Sequence, residues 1–158
     1  EGSTMASRPA EFVFEQTISF VLARTSTAFR NSLEKSMATI GLHAGQAFVL
    51  IELWKKNGLR QIDIASQLNL AAPTVSKMIK GLIEINLVRV QKVEEDARST
   101  RVFVTDKGLA IRAEVETQWH ELEEYTLGDL NETERLILFD LLSKLRNTYT
   151  GRDPEEDD

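Results

Sequence analysis

Residues 60–88 read RQIDIASQLNLAAPTVSKMIKGLIEINLV, and residues 93–108 read VEEDARSTRVFVTDKG. In the first stretch, apolar residues recur every three or four positions in two short runs, and this spacing predicts two amphipathic helices. The first helix is expected to run from Leu59 or Arg60 to Asn69. Pro73 suits the first turn of the next helix, because the N–H that proline lacks is not needed there.

The spacing also predicts which side of each helix faces inward. The expected inner residues of the first helix are Ile62, Ile64, Ala65 and Leu68, and those of the second are Val75, Ile79, Leu82 and Ile83. The remaining side chains of the second helix are expected to face solvent.

After this helix pair, apolar and polar residues alternate over residues 87–93 and again over residues 100–104, which is the pattern of β-strands. Residues 94–99 join the two predicted strands as a turn that contains Asp96 and Arg98. The order helix, turn, helix, hairpin predicts a winged helix-turn-helix. Such a fold inserts its second helix into the major groove of DNA, and an arginine on the wing can enter the minor groove.

Small or hydrogen-bonding residues begin the second helix, where the backbone comes closest to base edges. Asp96 is expected to orient the Arg98 guanidinium, and basic residues on the strands are expected to meet phosphates. The predicted DNA-binding residues are Ala71, Ala72, Pro73, Thr74, Ser76, Lys77, Lys80, Arg89, Lys92, Asp96, Arg98 and Arg101. A surface helix without any DNA-binding role would also expose serine and lysine, and an Asp-x-Arg turn can be an ordinary exposed ion pair.

Helical periodicity extends to both sides of this segment. A long helix is expected from Pro9 to about Thr39, ended by Gly41, and another from about Ala44 to Lys56. Downstream, a helix is expected from the Thr105-Asp106 cap to about Tyr125, and the residues 131–134 form a capping box for the last helix. The predicted fold class is mainly α with a small β-hairpin wing: six helices, two or three short strands, and a winged helix-turn-helix lobe on a helical dimerisation scaffold.

We expect one domain over residues 5–150. The lobe would comprise residues 41–108, and dimerisation helices would occupy residues 9–40 and 109–150. Residues 1–4 precede Met5 and look like a remnant of expression, while the acidic residues 151–158 are expected to be disordered.

The net charge of −6 is unevenly distributed. Between Lys55 and Lys107 there are ten Lys/Arg and six Asp/Glu, so this segment is basic and the remainder of the chain is strongly acidic. A basic module in an acidic body can orient the protein on DNA. The alternative is that an excess of this size is ordinary variation.

Several classes of protein are excluded or disfavoured by composition. The chain has no cysteine, which excludes disulfides, thiolate metal sites and cysteine nucleophiles. It has no apolar run of roughly 18 residues that could span a bilayer, so we expect a soluble, cytoplasmic protein. No motif of metalloproteases, phosphate-binding loops or Ser/His/Asp hydrolases is present, so we expect no enzyme and no cofactor.

An ordered set of short motifs runs along the chain: Leu42-His43-x-Gly45-Gln46-x-x-x-Leu50, Ile64-Ala65-x-x-Leu68, Pro73-Thr74-Val75-Ser76-Lys77-x-Ile79-x-x-Leu82, Leu87-Val88, Asp96-x-Arg98 and Val104-Thr105-x-x-Gly108. With this order and spacing, the chain resembles the MarR (multiple-antibiotic-resistance regulator) family over roughly Phe12 to Tyr149. Two residues depart from the pattern of the family: Asn86 replaces a usual glycine, and Val90 stands where arginine is common.

The resemblance implies a bacterial homodimer that associates with the nucleoid when bound. Its terminal helices would intertwine, and its two lobes would read a pseudo-palindromic operator in double-stranded DNA. The dimerisation residues would be Phe12 to Ile18, Leu138, Leu141, Leu142, Leu145 and Tyr149. Alternatively, these helices close a monomeric core.

The resemblance also implies repression of nearby genes that a small aromatic or phenolic ligand relieves, although some relatives activate. Candidate ligand contacts are Arg24, His43, Phe48, Trp54, Trp119 and His120. Each of these residues has a purely structural alternative, such as core packing or helix capping. A non-catalytic winged-helix module that binds protein is the competing function.

Overall fold

The computed structural model describes residues 10–92 and 100–150. Its helices are α1 (Ile18–Ala38), α2 (Ala44–Lys55), α3 (Gln61–Leu68), α4 (Ala72–Glu84), α5 (Asp106–Ala110), α6 (Arg112–Leu127) and α7 (Glu132–Thr150), and its strands are β1 (Leu59–Arg60), β2 (Val88–Lys92) and β3 (Thr100–Val104). The strands form an antiparallel sheet in the order β1-β3-β2. This mainly helical architecture with a small sheet confirms the predicted fold class.

The first helix is shorter than predicted. Thr17 has an extended backbone, and its side-chain oxygen accepts a hydrogen bond from the Phe20 N–H at 3.2 Å, so α1 begins at Ile18. Residues 14–16 form a single 3-10 turn before it. At the other end Gly41 has a φ of +79°, as expected of the residue that ends this helix.

The chain divides into two compact units between Val115 and Glu116. In the first unit, buried side chains from the end of α1, from α2, α3 and α4, and from the sheet form one core. Its most completely buried members are Leu33, Met37, Val49, Leu50, Leu53, Ile64, Val75, Ile79, Leu82, Leu87 and Val102. The single domain proposed for residues 5–150 stays a prediction.

The helix that was predicted to run from Leu59 or Arg60 to Asn69 begins later than predicted. Leu59 and Arg60 form β1, which pairs with Val102 and Arg101 of β3, and α3 begins only at Gln61. Ile62 is 65% exposed and was wrongly assigned to the inner face, whereas Ile64 and Ala65 are buried as predicted. Because β1 anchors the chain before α3, the buried side of this short helix is set by Ile64 and Ala65.

The helix predicted from residue 106 to 125 is interrupted at Ile111, which separates α5 from α6. The Thr105 side chain caps α5 as predicted, accepting a hydrogen bond from the Gly108 N–H at 3.0 Å. In the second unit the capping box of α7 is confirmed, since Asn131 and Glu134 exchange backbone-to-side-chain hydrogen bonds of 3.1 and 2.9 Å.

Within residues 10–92 and 100–150, no helix is both long enough and apolar enough to cross a membrane.

Candidate nucleic-acid interface

Helices α3 and α4 are joined by a short turn that depends on one left-handed residue. Asn69 ends α3 with a φ of 53°, a conformation that asparagine tolerates better than most residues. The Leu70 N–H donates to the Ala65 carbonyl at 3.0 Å, which closes the end of the helix. Ala71 then takes the cap position of α4, and Pro73 lies in its first turn as predicted.

Helix α4 has one buried side and one exposed side. Val75, Ile79 and Leu82 are at most 1% exposed and fix the helix to the core. Ile83 was expected among them but is 39% exposed. The predicted base-reading and phosphate-binding side chains all lie on exposed positions of this helix or just before it: Ala71, Ala72, Pro73, Thr74, Ser76, Lys77 and Lys80.

Helices α2 and α4 pack closely at two glycines. A Cβ added to Gly45 would collide with the Met78 side chain, and one added to Gly81 would lie 2.6 Å from Nε2 of Gln46. Each helix therefore offers a glycine where the other presents a long side chain. A larger residue at either position would require the Met78 or Gln46 side chain to move.

The wing strands carry a stacked arginine. The Arg89 guanidinium lies 4.9 Å from the centre of the Phe103 ring, its cross-strand neighbour, and Nη1 donates to Oε1 of Gln91 at 2.7 Å. Lys92 is exposed at the end of β2. Two wing residues that were predicted to bind DNA, Asp96 and Arg98, lie outside the described residues.

Arg101 has a contact inside the lobe. Its Nη1 donates to the Gly58 carbonyl at 3.0 Å, across the sheet from β3 to the turn that leads into β1. Arg101 also faces Arg60 across β1 and β3. The predicted phosphate contact of Arg101 stays a prediction, and its guanidinium already contributes to holding the sheet together.

Arg60 and Asp63 form a bidentate ion pair beside Arg101. Nε and Nη2 of Arg60 lie 2.9 and 3.1 Å from the two carboxylate oxygens of Asp63. The hydrogen bond from Arg60 is the main cause that lowers the pKa of Asp63, and the Arg101 charge lowers it further. Sequence reasoning did not single out Arg60 or Phe103, and their positions follow from the pairing of β3 with β1 and β2.

His43 is one of the candidate ligand contacts, and it is the N-terminal cap residue of α2. Its backbone N–H donates to Oε1 of Gln46 at 3.0 Å, and its Nδ1 lies 2.7 Å from Oε1 of Glu34 in α1. The other Glu34 oxygen accepts from the Ala44 N–H at 2.8 Å, and this bond is the main cause that lowers the pKa of Glu34. The carboxylate of Glu34 thus caps α2 from a neighbouring helix.

Trp54 and Phe48, two further candidates, are both half-buried on α2. The Trp54 indole N–H donates to the Gly108 carbonyl at 3.0 Å, and the Arg112 guanidinium lies 5.6 Å from the Trp54 ring centre. Arg24 is exposed on α1 and lies 4.8 Å from the Phe20 ring centre. These three aromatic and basic candidates therefore have structural contacts, and their ligand-binding role stays a prediction.

The last two ligand candidates lie in the second compact unit, on α6. Trp119 is half-buried and His120 is exposed. Among the residues that the structure describes, no group of three or more His, Asp or Glu side chains could hold a metal ion.

Comparisons with known proteins agree with this geometry. The model of the MarR family matches residues 42–100. The chain is 28% identical over 138 residues to the HTH-type transcriptional regulator TtmR of Methylorubrum extorquens, a match that covers 87% of this chain and 70% of TtmR.

Two solved structures show the same fold. Bordetella bronchiseptica BpsR, whose DNA binding is regulated by 6-hydroxynicotinic acid, has a TM-score of 0.77 and 24% identity over 87% of this chain and 99% of BpsR. S. aureus MepR, solved in complex with DNA, has a TM-score of 0.74 and 23% identity over 87% of this chain and 99% of MepR.

Helices α3 and α4 and the hairpin of β2 and β3 define a winged helix-turn-helix protein. Residues 42–100 match the MarR family model, and the chain is a MarR-type DNA-binding transcriptional regulator. The prediction that it is not an enzyme is consistent with these relatives, which are transcriptional regulators.

Proposed function

We propose that the protein is a homodimeric transcriptional repressor, active in the bacterial cytoplasm, that binds a pseudo-palindromic operator and is released by a small aromatic or phenolic ligand. The observation that carries the DNA-binding part is the two-sided character of α4. Val75, Ile79 and Leu82 anchor the helix, while Thr74, Ser76 and Lys77 are left exposed at the end that approaches base edges in helix-turn-helix proteins.

The proposed homodimer is supported by apolar surface at the beginning and end of the chain. Phe12, Phe14 and Ile18 are 64–81% exposed. Along α7 the exposed apolar side chains range from 41% exposure at Leu145 to 83% at Tyr149. Leu136, Ile137, Phe139, Leu141, Leu142, Leu145 and Tyr149 make up this set. Monomeric proteins rarely leave so many neighbouring apolar side chains in water, so a second copy is the proposed cover.

The proposed ligand is supported by candidate side chains and by one relative. BpsR responds to 6-hydroxynicotinic acid, an aromatic acid. The exposed guanidinium of Arg24 can pair with such a carboxylate, and aromatic rings at Phe48 and Trp54 can pack against its ring.

DNA binding is tested by selecting a preferred duplex from a random library and titrating it at several salt concentrations. The logarithm of the affinity should fall linearly with the logarithm of salt concentration, by about 0.9 per phosphate contact. A scrambled duplex of the same length is the control and should bind more weakly. A flat salt dependence, or equal affinity for both duplexes, would contradict a sequence-specific regulator.

Ligand release is tested on the same duplex with 6-hydroxynicotinate and with benzoate. A coupling of about 1–3 kcal/mol would weaken DNA affinity roughly 5- to 150-fold. Arg24→Met should reduce that effect without changing DNA affinity in the absence of ligand. Unchanged DNA affinity with both acids would count against aromatic acids as the effector.

A protein-binding winged-helix module is the second candidate. It would show no preference between the selected and scrambled duplexes, and Lys77 and Lys80 would not affect its activity. The exposed lysines on α4 favour DNA over this alternative.

A further inference from the structure

The end of α4 is held by a cluster of hydrogen bonds that includes none of the residues proposed to contact DNA. Three successive carbonyls follow α4, at Ile85, Asn86 and Leu87. Lys107 Nζ donates to Ile85 O at 3.0 Å, the Thr105 hydroxyl donates to Asn86 O at 2.6 Å, and the Thr105 N–H donates to Leu87 O at 3.0 Å. We call this cluster the α4–α5 clasp.

Sterics tighten the clasp further. The backbone of Gly108 packs so closely on Leu87 that an added Cβ would collide with the Leu87 carbonyl oxygen. The Gly108 carbonyl in turn accepts from the Trp54 indole of α2. The segment from Thr105 to Gly108 therefore contacts the end of α4 and the end of α2 together.

Ile85 is the C-terminal cap residue of α4. Carbonyl groups at a helix end have no partner inside the helix and carry partial negative charge. Water could satisfy exposed carbonyls equally well, so the need for hydrogen bonds alone does not explain why Lys107 and Thr105 supply the donors. Unlike water, Thr105 and Lys107 hold the end of α4 at a fixed position relative to α5, because they belong to the chain segment that forms α5. One residue, Ile111, separates α5 from α6.

We propose that Thr105 and Lys107 are positioning residues that fix the recognition helix α4 to the segment continuing into the C-terminal helices. This inference rests on the proposed homodimer, in which the spacing of two α4 helices must match two half-sites on DNA. The clasp sets that spacing by preventing the C-terminal end of α4 from moving relative to α5. Thr105 and Lys107 need not touch DNA for this.

The test uses the absence of cysteine from the chain. Glu84→Cys places one spin label on the exposed end of each α4, and pulsed electron spin resonance measures the distance between the two labels in the dimer. The labelled parent protein should show one narrow distance distribution and bind the selected duplex. In this background Lys107→Met should broaden or shift the distribution and weaken DNA binding about two- to tenfold, the range of one hydrogen bond.

Two readouts separate positioning from other roles. If Lys107 only positions α4, the salt dependence of binding stays unchanged in Lys107→Met, whereas loss of a phosphate contact would reduce the slope by about 0.9. Lys107→Arg keeps a donor and should restore the narrow distribution. Lys56→Met is the matched control, since it removes an exposed lysine on α2's C-terminal side and should leave the distribution unchanged.

Thr105→Val against Thr105→Ser provides a second pair, because serine keeps the hydroxyl that donates to Asn86. An unchanged distance distribution in both Lys107→Met and Thr105→Val would overturn the inference. A smaller salt slope with unchanged distances would also overturn it and identify Lys107 as a DNA contact. If the parent protein forms a dimer but prefers no duplex, the proposed function fails while the distance measurement still tests the clasp.

Discussion

Lys77 and Lys80 lie three residues apart on α4, so their side chains project from the same side of the helix. Both are exposed, while Val75 and Ile79 on the opposite side are buried. Lysine can contact a guanine edge or a phosphate, and these two contacts have different consequences. A base contact carries sequence preference, whereas a phosphate contact carries salt dependence.

We predict that Lys77→Ala weakens binding to the selected duplex by about 1 kcal/mol or more. Fluorescence anisotropy on the selected and scrambled duplexes measures the affinity. Repeating it at several salt concentrations distinguishes a base contact from a phosphate contact. Lys35→Ala, which removes an exposed charge on α1, should change the affinity by less than about 0.5 kcal/mol. Equal effects of the two substitutions would argue against a direct role for Lys77.

The cap that Glu34 provides to α2 predicts a pH-dependent contribution to stability. The Ala44 N–H and His43 lower the pKa of Glu34 below its ordinary value of 4.5. Because the folded state holds this carboxylate in its charged form, the stabilisation is present above the ordinary pKa. It is lost as the pH falls through the lowered pKa.

We therefore expect Glu34→Gln to destabilise the fold near pH 6, by at most about 1 kcal/mol because Glu34 is partly exposed. The difference from the parent protein should shrink toward pH 3.5, measured as the midpoint of urea unfolding at both pH values. Glu52→Gln is the control for a partly paired glutamate that caps no helix. A Glu34→Gln difference that grows as the pH falls would contradict the assigned cap.

The hydrogen-bond partners of individual side chains were the part of the site that was hardest to predict from the sequence. Lys107 contacts a carbonyl 22 positions earlier, Arg101 one 43 positions earlier and Trp54 one 54 positions later. Nothing in the local pattern around these residues marks such partners, because the contacts exist only after the elements have packed. The outward-facing residues of α4 were predictable, because the helical period of the apolar residues places the core residues on one side of the helix and the remaining residues on the other.

At the scale of elements, the junction between β3 and α5 tolerates the least change. Gly108 is buried and lies directly against the backbone of Leu87. Backbone atoms cannot rotate away as a side chain can, so the space for a Cβ must come from moving α5 or the end of α4. This contact gives a physical reason for the glycine in the Val104-Thr105-x-x-Gly108 motif.

We predict that Gly108→Ala lowers the free energy of unfolding by about 1–3 kcal/mol, the usual cost of overpacking. Alanine favours helices more than glycine does, so a destabilisation would come from the clash and not from helix propensity. Leu109→Ala on the same helix is the control and should cost less, because Leu109 is 55% exposed. Urea unfolding measures both, and a neutral Gly108→Ala would contradict the close contact.

The elements that sequence reasoning placed well are those with strong local signals. The Asn131 capping box and the Thr105 cap were both found from residue type and spacing. The two-residue strand β1 is too short to show any alternation, so the start of α3 was misplaced and Ile62 was assigned to the wrong side. Apolar residues before Ile18 continued the helical period, but the Thr17 cap starts α1 later.

At the scale of the whole molecule, the proposed dimer is what would turn one helix-turn-helix into a reader of two half-sites. Exposed apolar side chains on α7 are the basis for a direct test. Leu142→Arg would place a charge in the proposed interface, where an unpaired charge is costly to bury. Sedimentation velocity should show a shift from dimer to monomer, and affinity for the selected duplex should fall with it.

Leu142→Met is the control, because it keeps an apolar side chain of similar volume and should leave the dimer intact. A Leu142→Arg protein that stays dimeric would remove α7 from the interface. A monomeric parent protein would contradict the homodimer itself, and the apolar surface of α7 would then need a different partner.

The two-sided structure of α4 also has an evolutionary consequence. Its inner side is constrained by the buried Val75, Ile79 and Leu82, whereas Thr74, Ser76, Lys77 and Lys80 on its outer side are exposed. In the proposed function, stability and operator preference are therefore carried by different residues of one helix. A duplicated gene for this chain can acquire a new target sequence through a few outer substitutions, without first having to regain a stable fold.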